Sequence, residues 1–159
     1  VLQFTNKVLD ESLDIISWAM ESPAPNVHIY TDAEESLSID LIHLFDSKFK
    51  HHLDRYKYSS RYGVDPEDHQ EECKVILENL EDKINPQPWI FGKEVSLLDI
   101  SILPFIRQCK IANPDWFFSQ SFVKVIDLLN YFENSDLFIR AMQKYELWDP
   151  KKNNGKIFP

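Results

Sequence analysis

Glu11 and Ser12 stand side by side where the cap-rich run Asp10-Glu11-Ser12 gives way to Leu13, Ile16 and Met20 at helical spacing. A helix N-terminus offers unpaired N–H groups and the positive end of the dipole, which suit a carboxylate. Ser12 adds a hydroxyl to such a site, and Glu11 can balance an ammonium. The pair therefore has the chemistry to hold a free amino-acid end; the plainer reading is that Asp10, Glu11 and Ser12 cap a helix. Ser96-Leu97-Leu98-Asp99 reads as a second helix start, a capping box. Ser96 can accept from the N–H of Asp99, and the Asp99 carboxylate can reach back to the N–H of Ser96. Val95 and Ile100 occupy the positions of a hydrophobic staple. Asp in place of the usual Glu or Gln implies a tight, buried turn.

Other reactive types are present without a constellation. Lys48, Lys50, His51, His52, Arg55, Lys57 and Arg61 form a basic patch interleaved with Tyr56, Tyr58 and Tyr62. It reads either as an anion site or as a solvated helix face pairing with nearby acids. His69 and Cys73 are four apart and can share a helix face. His51 and His52 point ~100° apart on a helix, and no third and fourth ligand follow, so no metal site is expected. There is no G-x-S-x-G, no C-x-x-C and no glycine-rich phosphate loop. The two cysteines, Cys73 and Cys109, fall in apolar patterns and read as buried reduced thiols, which fits a cytoplasmic location. A net charge of -9 over 159 residues argues against nucleic acid and anionic membranes as partners. No apolar run approaches the ~20 residues of a membrane-spanning helix.

The elements that must position these residues are mostly helical. With 3 glycines in the chain, tight hairpins are disfavoured and Pro-marked helix ends are expected. Short strands are predicted at residues 1–4 and 7–9 around Asn6-Lys7, followed by a helix from Leu13. Pro23 and Pro25 mark a linker over residues 23–32. A long helix spans residues 33–57, with Leu37, Leu41, Leu44, Phe45, Phe49, Leu53 and Tyr56 in one stripe. Asp65-Pro66 opens the next, with Cys73, Leu77, Leu80 and Ile84 inside. The box helix runs over residues 97–111 and is apolar on nearly all sides, which makes it the expected central helix. Further helices are predicted over residues 121–132 and from Ser135-Asp136 through Leu137, Phe138, Ala141 and Met142. A polar tail occupies residues 149–159.

Three segments carry a family likeness. Trp89-Ile90-Phe91-Gly92, Ser96-Leu97-Leu98-Asp99-Ile100 and Pro104-Phe105-Ile106-Arg107-Gln108 resemble the C-terminal domain of the glutathione transferase family. Val1-Leu2-Gln3-Phe4 and Lys7-Val8-Leu9-Asp10-Glu11-Ser12-Leu13-Asp14-Ile15 resemble the last strands and third helix of that family's thioredoxin-like N-terminal domain. The resemblance implies a mainly α fold, an orthogonal helical bundle over residues 33–148 with a short βα remnant over residues 1–22. It implies that Glu11 and Ser12 hold the γ-glutamyl end of glutathione, a co-substrate, with no separate cofactor. It points to Phe45, Phe49 and Tyr56 as candidates for the pocket of a small electrophilic substrate; for Phe45 and Phe49 the plainer reading is core. It implies a homodimer. The family's catalytic Ser, Tyr or Cys is expected before Val1, so this chain is expected to be inactive by itself. The alternative from another class is a non-catalytic helical interaction module of the same fold.

Overall fold

The computed structural model describes residues 1–21, 27–147, 149 and 151. Strands β1 (Leu2–Gln3) and β2 (Val8–Leu9) pair antiparallel, Leu2 opposite Leu9, and lead into α1 (Ser12–Glu21). Leu9 is buried, and Phe4 meets Trp18 edge to face at 5.0 Å, but α1 itself has no buried residue. The predicted linker prolines Pro23 and Pro25 lie outside the described residues. The rest of that linker is tied down: Val27 bridges Val95, and the N–H of His28 donates to the carbonyl of Val95 at 3.0 Å.

The long predicted helix is one rod of three windings: α2 (Asp32–Leu44), a π-helical turn (Phe45–Phe49) and α3 (Lys50–Lys57). Leu41, Phe45, Phe49 and Leu53 are buried at intervals of four. An α-helix of 3.6 residues per turn drifts ~40° over each such step. The wider π winding turns less per residue and returns the stripe to the core. Thr31 and Glu34 form a capping box at the start of this rod, which the sequence reading missed.

After a short α4 (Ser59–Tyr62), α5 (Pro66–Lys83) starts where expected, with the Asp65 carboxylate accepting from the N–H of Glu67 at 2.9 Å. The box helix α6 (Leu97–Ala112) buries Leu98, Ile102, Leu103, Ile106 and Cys109 and packs against α2, α3, the π turn and α8, so it is the central helix. An unpredicted α7 (Pro114–Ser119) follows an Asn113 cap. The next helix, α8, begins at Val123 (Val123–Glu133). In α9 (Asp136–Ala141) only Phe138 turns inward, its ring 5.0 Å from that of Phe132; Leu137, Ala141 and Met142 are exposed. The architecture is thus a mainly helical bundle carrying a small βα unit. Among the described residues no helix is long and apolar enough to cross a membrane.

Candidate functional site

Helix α1 starts where the sequence places it, but the expected side-chain cap from Asp10, Glu11 or Ser12 is not made among the described residues. The Glu11 carbonyl accepts from the N–H of Ile15 at 3.1 Å, which makes Glu11 the residue before the first turn. The Glu11 and Ser12 side chains are exposed and make no hydrogen bond to another described residue. Most other helix starts differ. Thr31, Asp65, Ser96, Asn113 and Ser135 each turn a side-chain oxygen onto their own helix's first N–H groups. At α1 no such cap is made among the described residues, so its N–H groups and dipole face outward. One turn along α1, a cleft of about 340 Å³ lies between Lys7, Leu9, Asp14, Trp18 and Glu21. It does not include Glu11 or Ser12.

At α6 the box forms in full and is buried. The Ser96 Oγ accepts from the Asp99 N–H at 3.2 Å, while Asp99 Oδ2 accepts from the Ser96 N–H at 2.9 Å and the Ser96 hydroxyl at 2.5 Å. A donor nine residues upstream joins it: the Ile90 N–H reaches Asp99 Oδ1 at 3.1 Å. Burial pushes the Asp99 carboxyl above its ordinary range, and the hydrogen bonds from Ser96 and Ile90 oppose that push. The Leu98 N–H donates to the Tyr30 hydroxyl at 2.8 Å. The box therefore ties the residue 89–92 turn and the chain at residue 30 to the start of the central helix. This is a structural role.

For Phe45 and Phe49 the plainer reading, core, holds, and the pocket reading needs correction. Phe45 and Phe49 have no exposed surface; their rings pack 4.6 Å apart inside the core, so they cannot line a substrate pocket as placed. The π turn is the reason, since it aims both inward. Tyr56 is half-buried, and its hydroxyl accepts from Gln70 at 2.5 Å. Burial raises its pKa, against that hydrogen bond.

The basic patch is largely paired. Lys48 bridges Glu72 at 2.8 Å, Lys50 reaches Asp46 at 3.4 Å, and Lys57 donates to Gln108 Oε1 at 2.6 Å. Arg55 lies over the Tyr62 ring at 4.6 Å. The solvated-face reading is the one this geometry favours. His52 and His69 are brought together from α3 and α5, their Nδ1 atoms 2.8 Å apart. Burial lowers the His52 pKa; Glu72 opposes this, and His51, His69 and Lys48 add to it. Among the described residues no three His, Cys, Asp or Glu side chains gather to hold a metal ion. Cys73 and Cys109 are buried free thiols, and their mutual hydrogen bond and burial push Cys109 well above the ordinary thiol range. Neither is placed or poised as a nucleophile.

Sequence reasoning missed the polar contacts between distant segments. Arg107 and Lys110 converge on Glu133, and Glu81 of α5 accepts from the N–H groups of Lys124 and Val125 at 2.9 Å each. Each partner lies at least 23 residues away, and no local spacing marks such a pair.

No family model and no curated protein matches the chain. Among solved structures it is similar to a glutathione S-transferase from Actinobacillus pleuropneumoniae, with a TM-score of 0.68 and 12% identity. The likeness covers 87% of this chain and 65% of that one. The fold is therefore glutathione-transferase-like: the helical domain with a small βα unit attached.

Proposed function

We propose that this chain is part of a glutathione transferase-like protein and that Glu11 and Ser12 hold the γ-glutamyl end of glutathione. One observation carries the reading: in a transferase-like fold, the N-terminus of α1 has no side-chain cap among the described residues, with Glu11 and Ser12 exposed beside it. Open N–H groups and the Ser12 hydroxyl suit the carboxylate of the ligand. The Glu11 carboxylate suits its ammonium. Thiol transfer also needs a group that stabilises the thiolate. On this reading the chain's own contribution is binding of glutathione. A small electrophilic substrate, with Tyr56 the remaining pocket candidate, belongs to the same reading, as do a homodimer and a cytoplasmic location.

Titrating the chain with glutathione while recording amide chemical shifts tests the proposal. Expected are saturable shifts at residues 11–14 that Ser12→Ala and Glu11→Gln each weaken, with no turnover of 1-chloro-2,4-dinitrobenzene above the uncatalysed rate. Shifts elsewhere, or none, would remove the site and leave the non-catalytic interaction module as the better reading. Turnover by this chain would overturn its assignment as binding-only.

A further inference from the structure

On another part of the helical domain, α6, α8 and α9 leave a cleft of about 330 Å³ between them. Its walls are chiefly apolar: Phe132, Phe138, Ala141 and Met142, with Arg107 and Gln108 as the polar groups. That volume lies at the low end of the range for small-ligand sites, roughly 300–1,000 Å³.

The polar groups are set in a particular way. Arg107 Nε donates to Glu133 at 3.1 Å, and its guanidinium lies 5.1 Å from the centre of the Phe138 ring. Its terminal NH₂ groups have no hydrogen-bond partner among the described residues. Glu133 is shared with Lys110, so two cations meet one carboxylate and a positive charge is left over. Gln108 is oriented by its neighbour: Lys57 can only donate, so the atom it meets at 2.6 Å must be the Gln108 carbonyl oxygen. The Gln108 NH₂ group is therefore a donor with no protein acceptor among the described residues. The cleft thus combines aromatic walls, a surplus positive charge and two sets of open donors.

We propose that this cleft is a binding site for a small aromatic carboxylate. The rings of Phe132 and Phe138 take the apolar body. The Arg107 terminal NH₂ groups and the Gln108 NH₂ group take the anionic end. A neutral ligand of the same shape satisfies the walls and leaves the charge unanswered. The overall charge of -9 repels anions, so binding of one here reports the local cation excess.

The test uses the whole chain, calorimetry and two probes of equal shape, 2-naphthoate and 2-naphthamide. Saturable binding of the carboxylate is expected, roughly tenfold or more tighter than the amide. Ala141→Trp fills the cleft from an exposed position, where the fold tolerates change, and should abolish binding. Arg107→Gln should remove the preference for the carboxylate. Equal affinity for the two probes would reduce the cleft to an apolar surface and overturn the proposal. So would carboxylate binding that survives Ala141→Trp. Sedimentation on the same samples supplies the remaining outcome. Self-association that Ala141→Trp disrupts, with no naphthoate binding, would give the cleft to a second copy of the chain and overturn the ligand reading.

Discussion

Helices α6 and α8 begin with the same chemistry drawn from opposite sources. At α6 a carboxylate three residues into the helix, Asp99, turns back onto the N–H of Ser96, so the cap is local. At α8 the residue before the helix is Phe122, which can cap nothing and is buried instead. There the carboxylate comes from Glu81 on α5, which accepts from both Lys124 and Val125. Lys124 answers by donating its ammonium to the carbonyls of Glu81 and Ile84 at 2.7 and 3.0 Å, so the end of α5 and the start of α8 satisfy each other. Helix α1 is a third case, with no side chain among the described residues on its first N–H groups. Orphan backbone groups at a buried helix end must be paired; at an exposed end, water or a ligand can do it.

Five measurements break or sharpen this contrast, from the largest effect to the smallest. Asp99→Ala strips a buried partner from the Ile90 and Ser96 N–H groups and the Ser96 hydroxyl, and should cost about 3 kcal/mol in urea unfolding. Ser96→Ala should cost less, because Ile90 keeps its acceptor, and the double mutant should be non-additive. Additive losses would show that the two residues act independently. Glu81→Ala should cost about 1–2 kcal/mol and expose the first amides of α8 to hydrogen exchange, with Glu81→Gln recovering part of the loss. Equal protection in Glu81→Ala would show that the cap across helices contributes nothing.

The third measurement is a pH series. Burial lowers the His52 pKa in the folded chain, so between the folded and unfolded values the unfolded chain binds more protons. Stability is full above the unfolded value, about 6.5, and falls as the pH drops from there toward the folded pKa. The bond to His69 acts in the same direction, because one Nδ1 must stay unprotonated to accept it. His52→Phe should flatten the dependence below about pH 6.5, where the unfolded chain takes up the proton that the folded chain refuses; an unchanged slope would assign it elsewhere. Fourth, Ser101 is buried in α6 and its hydroxyl lacks a partner among the described residues. Ser101→Ala should therefore stabilise the chain by roughly 0.5–1 kcal/mol. A loss of stability would mean that the hydroxyl is satisfied. Fifth, Ser12→Ala should leave unfolding within about 0.5 kcal/mol, because Ser12 caps nothing among the described residues. A loss as large as that for Ser96→Ala would make Ser12 an ordinary cap and weaken the case for a ligand at α1.

What was legible in the sequence was what neighbouring residues decide among themselves. The Ser96–Asp99 box, the Asp65-Pro66 start of α5, the strands around Asn6-Lys7 and the inward stripe of the residue 32–57 rod all depend on groups within a turn or two of each other. Rotation per residue and side-chain reach are set locally, so spacing alone specifies them. Tertiary structure alone decided the rest. It chose Glu81 as the cap of α8, joined Ile90 to the Asp99 carboxylate, set His52 against His69, and placed a π turn in the middle of the long rod. It also opened the cleft beside Arg107. Each of these depends on which surfaces of two elements meet across the core. That is settled by how apolar faces pack together, and no one segment contains it.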